Sequence, residues 1–278
     1  GRGLSKSDGP ATDAERAALV EKGLHQSKYR SVCAAINYLA TITRDDIRFA
    51  QGKNAKYCLN PGAKHFLAQQ HLLKFIKGTT RYGIEFVWKA SDPAPLDGPL
   101  RVMAFSDSSF ADDVDTAKTT VGNVIQVNGA TVSATSKLGQ RVDSCVNHSD
   151  LNAFIDSVDG DLTDSSACAI VKTSRTVKWL RGVKAAFERR DEASMPPTPV
   201  YVDNAGVLSM VNGVTIKTAN KHIYRTLAQA REMVQVDKVV QPIKIDTADN
   251  VSNAMTKQEP GLEKSAAQLR QVTGPALY

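Results

Sequence analysis

The sequence predicts an α/β protein in which helices cover both faces of a mixed five-stranded sheet, preceded by a small all-helical region. Apolar residues recur at helical spacing through residues 1–80, whereas strand patterns begin only after residue 100. Three consecutive strands are followed by helices that alternate with two more strands, which is typical of a mixed sheet. With 278 residues, 42% hydrophobic and 23% charged, the chain is neither disordered nor a disulfide-rich miniprotein.

The first region is predicted to be nearly all helical. One helix is expected at about 14–24, and the next has its apolar residues on one face, at Tyr29, Val32, Cys33, Ile36, Leu39 and Ala40. Asp45 and Asp46 suit the start of a helix that must end before Pro61, since the residue before a proline disfavours helical geometry. A further helix runs from about 63 to 77, with Gly78 placed to end it.

The second region carries the strands. Residues 90–99 contain three prolines and a glycine and predict a linker, so the chain divides into 1–89, 90–99 and 100–278. Asn128-Gly129 predicts a hairpin turn between the second and third strands. Strands are expected at 101–107, 119–127, 131–137, 199–203 and 238–245, and helices at 150–172, 173–189, 204–212 and 221–235.

Three acidic residues lie where strands or helices are predicted to begin or end. Asp107 belongs to the first strand, Asp150 starts a helix, and Asp203 stands at the tip of the fourth strand. Acidic groups at such points can converge to hold divalent cations, as two-metal phosphoryl-transfer sites require. Each one alone is more often a cap or turn residue, so it is the set of three that indicates a site.

A series of short strings resembles the C-terminal part of copia-type retrotransposon polyproteins, namely the last helices of reverse transcriptase followed by ribonuclease H. The strings in the helical region are YRS at 29–31, NYLA at 37–40, TRDDI at 43–47 and LKFIKGT at 73–79. Those in the second region are FSDSSFADD at 105–113, SK at 136–137, KWLR at 178–181, YVDN at 201–204, NKHI at 220–223 and NVSNAMTK at 250–257. Their order and spacing together make the resemblance specific.

The resemblance implies a ribonuclease H-like fold for 100–278 and a region like the reverse-transcriptase thumb or connection for 1–89. In ribonuclease H, four carboxylates hold two Mg²⁺ ions that cut the RNA strand of an RNA–DNA hybrid. The four catalytic positions fall on Asp107, Asp150, Asp203 and Asn253, where the family has Asp, Glu, Asp and Asp. The resemblance makes Asp107, Asp150 and Asp203 the metal ligands if the protein is active.

Two of these four positions depart from the family. Asp150 is one methylene shorter than Glu, and a misplacement of about 1 Å can cost on the order of 10²-fold in rate. Asn253 has no negative charge and offers a metal one neutral oxygen. The chain also lacks a Tyr-x-Asp-Asp string, so the polymerase metal site is missing. These departures predict a folded protein that is no longer a nuclease, unless the last motif is misaligned or the protein was made inactive by design.

The excess positive charge is confined to residues 1–100, which hold 15 basic and nine acidic side chains. No acidic residue occurs between Ile47 and Ile84, and this indicates contact with RNA or with an RNA–DNA hybrid. The residues expected to touch the phosphate backbone are Arg48, Lys53, Lys56, Lys64, Lys74, Lys77, Arg81, Lys137, Gln140 and Arg141. A solvated face that serves only solubility is the alternative for the cations.

Three functions remain open at this point. The first is a catalytically impaired pseudo-enzyme that binds nucleic acid or serves as a structural subunit of a larger, ribonucleoprotein assembly with protein partners. The second is an active, Mg²⁺-dependent ribonuclease H of a copia-type polyprotein, and the third is a protein–protein scaffold. Four cysteines without a C-x-x-C pair predict free thiols in a reducing, intracellular compartment, and no apolar run predicts a membrane span. Because the chain begins with Gly, a processed chain or a fragment is expected.

Overall fold

The N-terminal region is a set of four helices. The computed structural model describes residues 3–84, 100–139, 142–158, 176–213, 223–257 and 272. The four helices are α1 (Asp13–Glu21), α2 (Gln26–Ile42), α3 (Arg48–Ala55) and α4 (Ala63–Gly78). The apolar faces of α2 and α4 meet in two small clusters, one around Ile36 and Leu72 and the other around Tyr29 and Phe66. The predicted linker at 90–99 lies outside the described residues, so the division of the chain at that point stays a prediction.

The predicted mixed five-stranded sheet is confirmed. Its strands are β1 (Val102–Ser109), β2 (Thr120–Val127), β3 (Ala130–Leu138), β4 (Thr198–Val202) and β5 (Val240–Lys244). Their order is β3-β2-β1-β4-β5, in which β1, β2 and β3 pair antiparallel while β4 is parallel to both β1 and β5. Asn128 and Gly129 join β2 to β3 with φ of 51° and 84°, which is the positive φ that a tight two-residue hairpin needs at both positions.

The helices of the second region are α5 (Val146–Val158), α6 (Thr176–Glu188), α7 (Ala205–Asn212) and α8 (Tyr224–Arg231). Two predicted boundaries were wrong. Helix α5 begins four residues early, so Asp150 lies in its second turn rather than at its start. Helix α8 ends early because the backbone widens into a single π turn over Glu232–Val236. None of the described helices is long and apolar enough to cross a membrane.

Both faces of the sheet are buried, and successive residues of β1 serve opposite faces because strand side chains alternate. Ala104 joins the larger core, in which α5, α6, α7 and α8 pack on one face. Phe105 joins a smaller core on the other face, where it packs with Val251, Ala254 and Met255. The last three belong to a short 3-10 helix, Val251–Met255, whose position beneath the sheet fixes the residues that follow it.

Candidate active site and cationic surface

The sheet brings together the three predicted acids. Asp107 lies near the end of β1, Asp203 directly follows the neighbouring parallel strand β4, and α5 carries Asp150 across β1. The charges of Asp150 and Asp203 both act to raise the pKa of Asp107. We refer to Asp107, Asp150 and Asp203 as the acid cluster.

Asp107 is almost completely buried, at 4% exposure, and is held by the segment that follows the Val251–Met255 helix. The Thr256 hydroxyl donates a hydrogen bond to Asp107 Oδ2, and Lys257 Nζ lies 3.5 Å from the same oxygen. Burial raises the pKa of Asp107 to about 6, against the opposing effects of Lys257 and Thr256. The carboxylate is therefore engaged by a hydroxyl and an ammonium from its own chain.

Asp150 has both carboxylate oxygens engaged by neutral donors. Ser108 Oγ donates to Oδ1 at 2.6 Å, and Asn204 Nδ2 donates to Oδ2 at 2.6 Å. Burial raises the pKa of Asp150, while these two hydrogen bonds act in the opposite direction. Asn204 is fixed in turn because its Oδ1 caps α7 by accepting from the backbone N–H groups of residues 206 and 207. The short Asp150 side chain thus lies in a closed hydrogen-bonded network.

Asn253 is the fourth predicted catalytic position, and it lies within the Val251–Met255 helix at 0% exposure. Its Nδ2 donates to the carbonyl of Thr247, which is a contact that the aspartate of the family could not make. Its Oδ1 is buried and has no hydrogen-bond partner among the described residues. The Asn253 side chain therefore stabilises the 247–253 segment by a hydrogen bond from its amide nitrogen.

As arranged, this donor set does not fit a divalent cation. Mg²⁺ requires several oxygen ligands in near-octahedral geometry, and carboxylates are its usual protein ligands. Within the part of the chain that the structure describes, no three or more His, Cys, Asp or Glu side chains are grouped closely enough to hold a metal. Asp107 Oδ2 and both carboxylate oxygens of Asp150 already accept hydrogen bonds, and Asn253 supplies no charge. We therefore derive no catalytic step through Mg²⁺.

Four of the predicted nucleic-acid-binding cations form ion pairs within the protein. Lys53 Nζ is 2.6 Å from Asp112, and Lys56 contacts both Asp113 and Asp115, the latter at 2.7 Å. Arg48 pairs with Asp45 at 2.7 Å and Lys64 with Asp8 at 2.6 Å. The loop between β1 and β2 supplies Asp112, Asp113 and Asp115, so Lys53 and Lys56 attach α3 to the sheet region. In the folded protein, these cations of the acid-free segment between Ile47 and Ile84 therefore pair with acidic residues that lie outside that segment.

The remaining predicted cations have a different environment. Lys74, Lys77 and Arg81 are exposed, and they follow one another at i, i+3 and i+7 along α4 and just beyond its end. Lys74 and Lys77, at i and i+3, share one side of α4, and Arg81 lies three residues beyond the helix end. Lys137 is exposed near the end of β3, on the sheet region. Gln140 and Arg141 lie outside the described residues.

Four side chains that contact the acids, Ser108, Asn204, Thr256 and Lys257, have no role predicted from the sequence. Ser108 follows Asp107, Asn204 follows Asp203, and Thr256 and Lys257 lie a few residues after Asn253. All four belong to strings that resemble the family. Their presence in those strings was the available signal. Which acid each contacts depends on how distant segments meet, which no short string reveals.

Comparison with known proteins finds similarity to retrotransposon polyproteins. It is 26% identical over 257 residues to the retrovirus-related Pol polyprotein from transposon TNT 1-94 of Nicotiana tabacum, covering 92% of this chain and 17% of that protein. It is 25% identical over 231 residues to the Pol polyprotein from transposon RE2 of Arabidopsis thaliana, covering 83% of this chain and 14% of that protein. The chain thus spans only a small part of the length of these relatives.

Other similarities are shorter or more distant. Secreted RxLR effector protein 161 of Plasmopara viticola is 31% identical over 109 residues, covering 39% of this chain and 71% of that protein. Among solved structures, LC11-RNase H1 isolated from compost aligns with a TM-score of 0.37 and 13% identity, over 56% of this chain and 92% of that chain. No protein-family model matches the sequence.

Proposed function

We propose, from its similarity to retrotransposon Pol polyproteins, that this chain is a ribonuclease H-like pseudo-enzyme. In this proposal it binds nucleic acid or serves as a structural subunit of a larger ribonucleoprotein assembly. The observation that carries the proposal is the set of contacts that Asp107, Asp150 and Asn253 make within the protein. Asp107 is buried against Thr256 and Lys257, Asp150 is saturated by neutral donors, and Asn253 is an amide bonded to the backbone.

A hydrolytic site of this family needs carboxylates that face a metal and a substrate phosphate. An acid whose oxygens are already satisfied inside the protein must break those hydrogen bonds before it can bind a metal. Because hydrogen bonds to a charged group contribute about 1.5–3 kcal/mol each, the rearrangement is costly. The site is better suited to holding β1, β4 and α5 together than to turnover.

The proposal is tested by incubating the purified protein with an RNA–DNA hybrid and Mg²⁺. We expect no more RNA cleavage than with an Asp107→Asn variant prepared in the same way, which controls for contaminating nucleases. Mg²⁺-dependent cleavage that Asp107→Asn abolishes would instead establish the second function, an active ribonuclease H. The Asn variant replaces the one acid that touches both Thr256 and Lys257 and keeps its size.

Nucleic-acid binding is proposed for the exposed cations Lys74, Lys77 and Arg81, since Lys53 and Lys56 are committed to internal ion pairs. Lys74 and Lys77 on α4, and Arg81 three residues beyond its end, can each neutralise a phosphate and release a counterion. Replacing all three with Gln is expected to weaken hybrid binding and to reduce the slope of log K against log salt by about 2 to 3. A triple Gln variant at exposed Lys22, Lys28 and Arg30 is the charge-matched control.

The binding measurement also separates the structural role from the nucleic-acid role. Salt-dependent binding that the 74/77/81 variant loses and the control variant retains supports a nucleic-acid subunit. Absence of binding at low salt favours the protein–protein scaffold. Equal loss in both triple variants would mean that net charge alone attracts the nucleic acid and that this face of α4 has no special role.

A further inference from the structure

Two cysteines of the helical region share one of its two small cores. Cys33 belongs to α2 and Cys58 follows the end of α3, and both pack in the cluster around Tyr29 and Phe66. Both are free thiols, and Cys33 is buried while Cys58 is half-buried. Neither belongs to a string that resembles the family, so the resemblance does not account for the pair.

The two backbone segments that carry these cysteines are tied to each other by side-chain hydrogen bonds. Gln51 of α3 donates through Nε2 to the carbonyl of Cys33 at 2.7 Å. Gln26 of α2 donates through Nε2 to the carbonyl of Leu59, the residue after Cys58, at 2.5 Å. Because the two bonds run in opposite directions between α2 and the segment 51–59, they fix the two cysteines relative to each other.

The sulfur of Cys33 interacts with the thiol of Cys58 and with an amide. Gln69 Nε2, from α4, donates to Cys33 Sγ at 3.1 Å. Burial raises the pKa of the Cys33 thiol to about 12, and Cys58 acts in the same direction while the Gln69 amide opposes them. The reactive form of cysteine is the thiolate, and Cys33 is both buried and protonated. An external reagent therefore meets Cys58 first, and Cys33 is placed to react second.

We propose that Cys33 and Cys58 form a reversible oxidation site, at which exchange with a small disulfide such as oxidised glutathione closes a bond that locks α2 to the segment after α3. The Cys58 thiolate attacks one sulfur of the reagent, expels the other as a thiolate and leaves a mixed disulfide. Cys33 then loses its proton to solvent, attacks the Cys58 sulfur and expels the second small thiolate. The protein gives up two electrons and two protons, which the reagent takes up to become two thiols.

This inference goes beyond the proposed function and holds whether or not the protein cleaves RNA. The pair stays reduced in the reducing compartment that the cysteine pattern predicts, and it closes when the surroundings become oxidising. The segment 51–59 also carries Lys53 and Lys56, which form ion pairs with the loop between β1 and β2. The bond therefore joins α2 to the part of the helical region that is attached to the sheet.

The test treats the full chain with oxidised glutathione, in a background in which Cys145→Ser and Cys168→Ser leave only the pair, and measures its mass without reducing agent. We expect the loss of two hydrogen atoms and a peptide map in which Cys33 is joined to Cys58. Cys33→Ser is expected to retain one glutathione on Cys58, because no second thiol is present to expel it. Cys58→Ser is expected to stay unmodified, because Cys33 is buried.

Thermal unfolding gives a second readout. A bond that closes a loop of about 25 residues is expected to raise the Tm of the oxidised protein by about 5–10 °C, and dithiothreitol should reverse the shift. Cys58→Ser should have the same Tm with and without oxidised glutathione. If Cys33→Ser does not fold, the background protein and Cys58→Ser still decide the question.

Three results overturn the proposal. A lasting glutathione adduct on the background protein would show that Cys33 does not reach Cys58, and an unmodified background protein would show that the reagent does not reach the pair. A disulfide that leaves the Tm unchanged would show that the bond locks nothing. None of these results bears on hybrid cleavage, so failure here is distinct from failure of the proposed function.

Discussion

Gly122 is the position at which a single methyl group should disturb the site most. It lies on β2 directly opposite Asp107, where the Val251–Met255 helix presses against the sheet. The Gly122→Ala variant places a Cβ 2.5 Å from Thr256 Cγ2, 2.7 Å from Met255 Cβ and 3.0 Å from the carbonyl oxygen of Ser252. All three distances are at or below the closest that real Cβ atoms approach.

The cost follows from which atoms have to move. Met255 Cβ and the Ser252 oxygen are attached to the backbone and cannot rotate away, so the helix must shift as a unit. Overpacking of this kind costs about 1–3 kcal/mol, and we expect the upper end. Replacing Gly with Ala in a strand returns about 0.5–1 kcal/mol through lower backbone entropy. The net loss is roughly 2 kcal/mol, which corresponds to a Tm lower by about 4–8 °C.

The assay is thermal unfolding followed by circular dichroism, with Gly52→Ala as the matched control. Gly52 lies inside α3 and has no atom within 4 Å of where its Cβ would be, so alanine there should stabilise the protein by about 0.5–1 kcal/mol. A Gly122→Ala protein as stable as the wild type would refute the reasoning. It would mean that the 251–257 segment does not pack on β2 as described.

Further predictions concern Asn253, Lys56 and pH. Asn253→Asp buries a charge and removes the side-chain donor to the Thr247 carbonyl. The free energy of unfolding, measured by thermal unfolding in EDTA, should therefore fall by about 3 kcal/mol. Increased hybrid cleavage in Mg²⁺ would contradict this view of the site. Lys56→Met leaves buried Asp113 and half-buried Asp115 without their cation and should cost about 3 kcal/mol in urea unfolding, whereas an unchanged midpoint would show that the pairs contribute nothing. Burial acts to raise the pKa of Asp115, but Lys56 and a backbone N–H outweigh it and lower the pKa to about 2. This carboxylate therefore stabilises the protein fully above its unfolded pKa of about 4, and the contribution is lost as the pH falls towards 2. Acid unfolding of Lys56→Met should show a smaller loss across that interval, and an identical pH profile would argue against the contact.

The acid-free segment between Ile47 and Ile84 is a real sequence pattern, but it does not reveal which of its cations form ion pairs in the folded protein. The absence of acids between Ile47 and Ile84 is a property of the sequence, and it indicated a surface for phosphates. In the folded chain Lys53 and Lys56 meet acids 59 and 57 residues away, in the loop after β1. Lys74 and Lys77 on α4, and Arg81 beyond it, are exposed and remain available to a partner.

The sequence by itself determined the elements and the class of fold. Hydrophobic spacing, the Asn128-Gly129 turn and the order of strands are signals that act over a few residues, and they predicted the mixed sheet and its helices. The short strings located the acids for the same reason, since each string reports one local segment. The residue identities at positions 150 and 253, which differ from the family that the chain resembles, were also visible from the sequence alone.

Only the tertiary structure decided what surrounds those acids. The hydrogen bond from Thr256 to Asp107 joins residues 149 positions apart, and that from Asn204 to Asp150 joins residues 54 apart. Contacts of this length leave no periodicity in the sequence, because they depend on the register of β1 with β2 and on the close approach that Gly122 allows. Whether a carboxylate faces a metal or its own chain's lysine is therefore a property of packing.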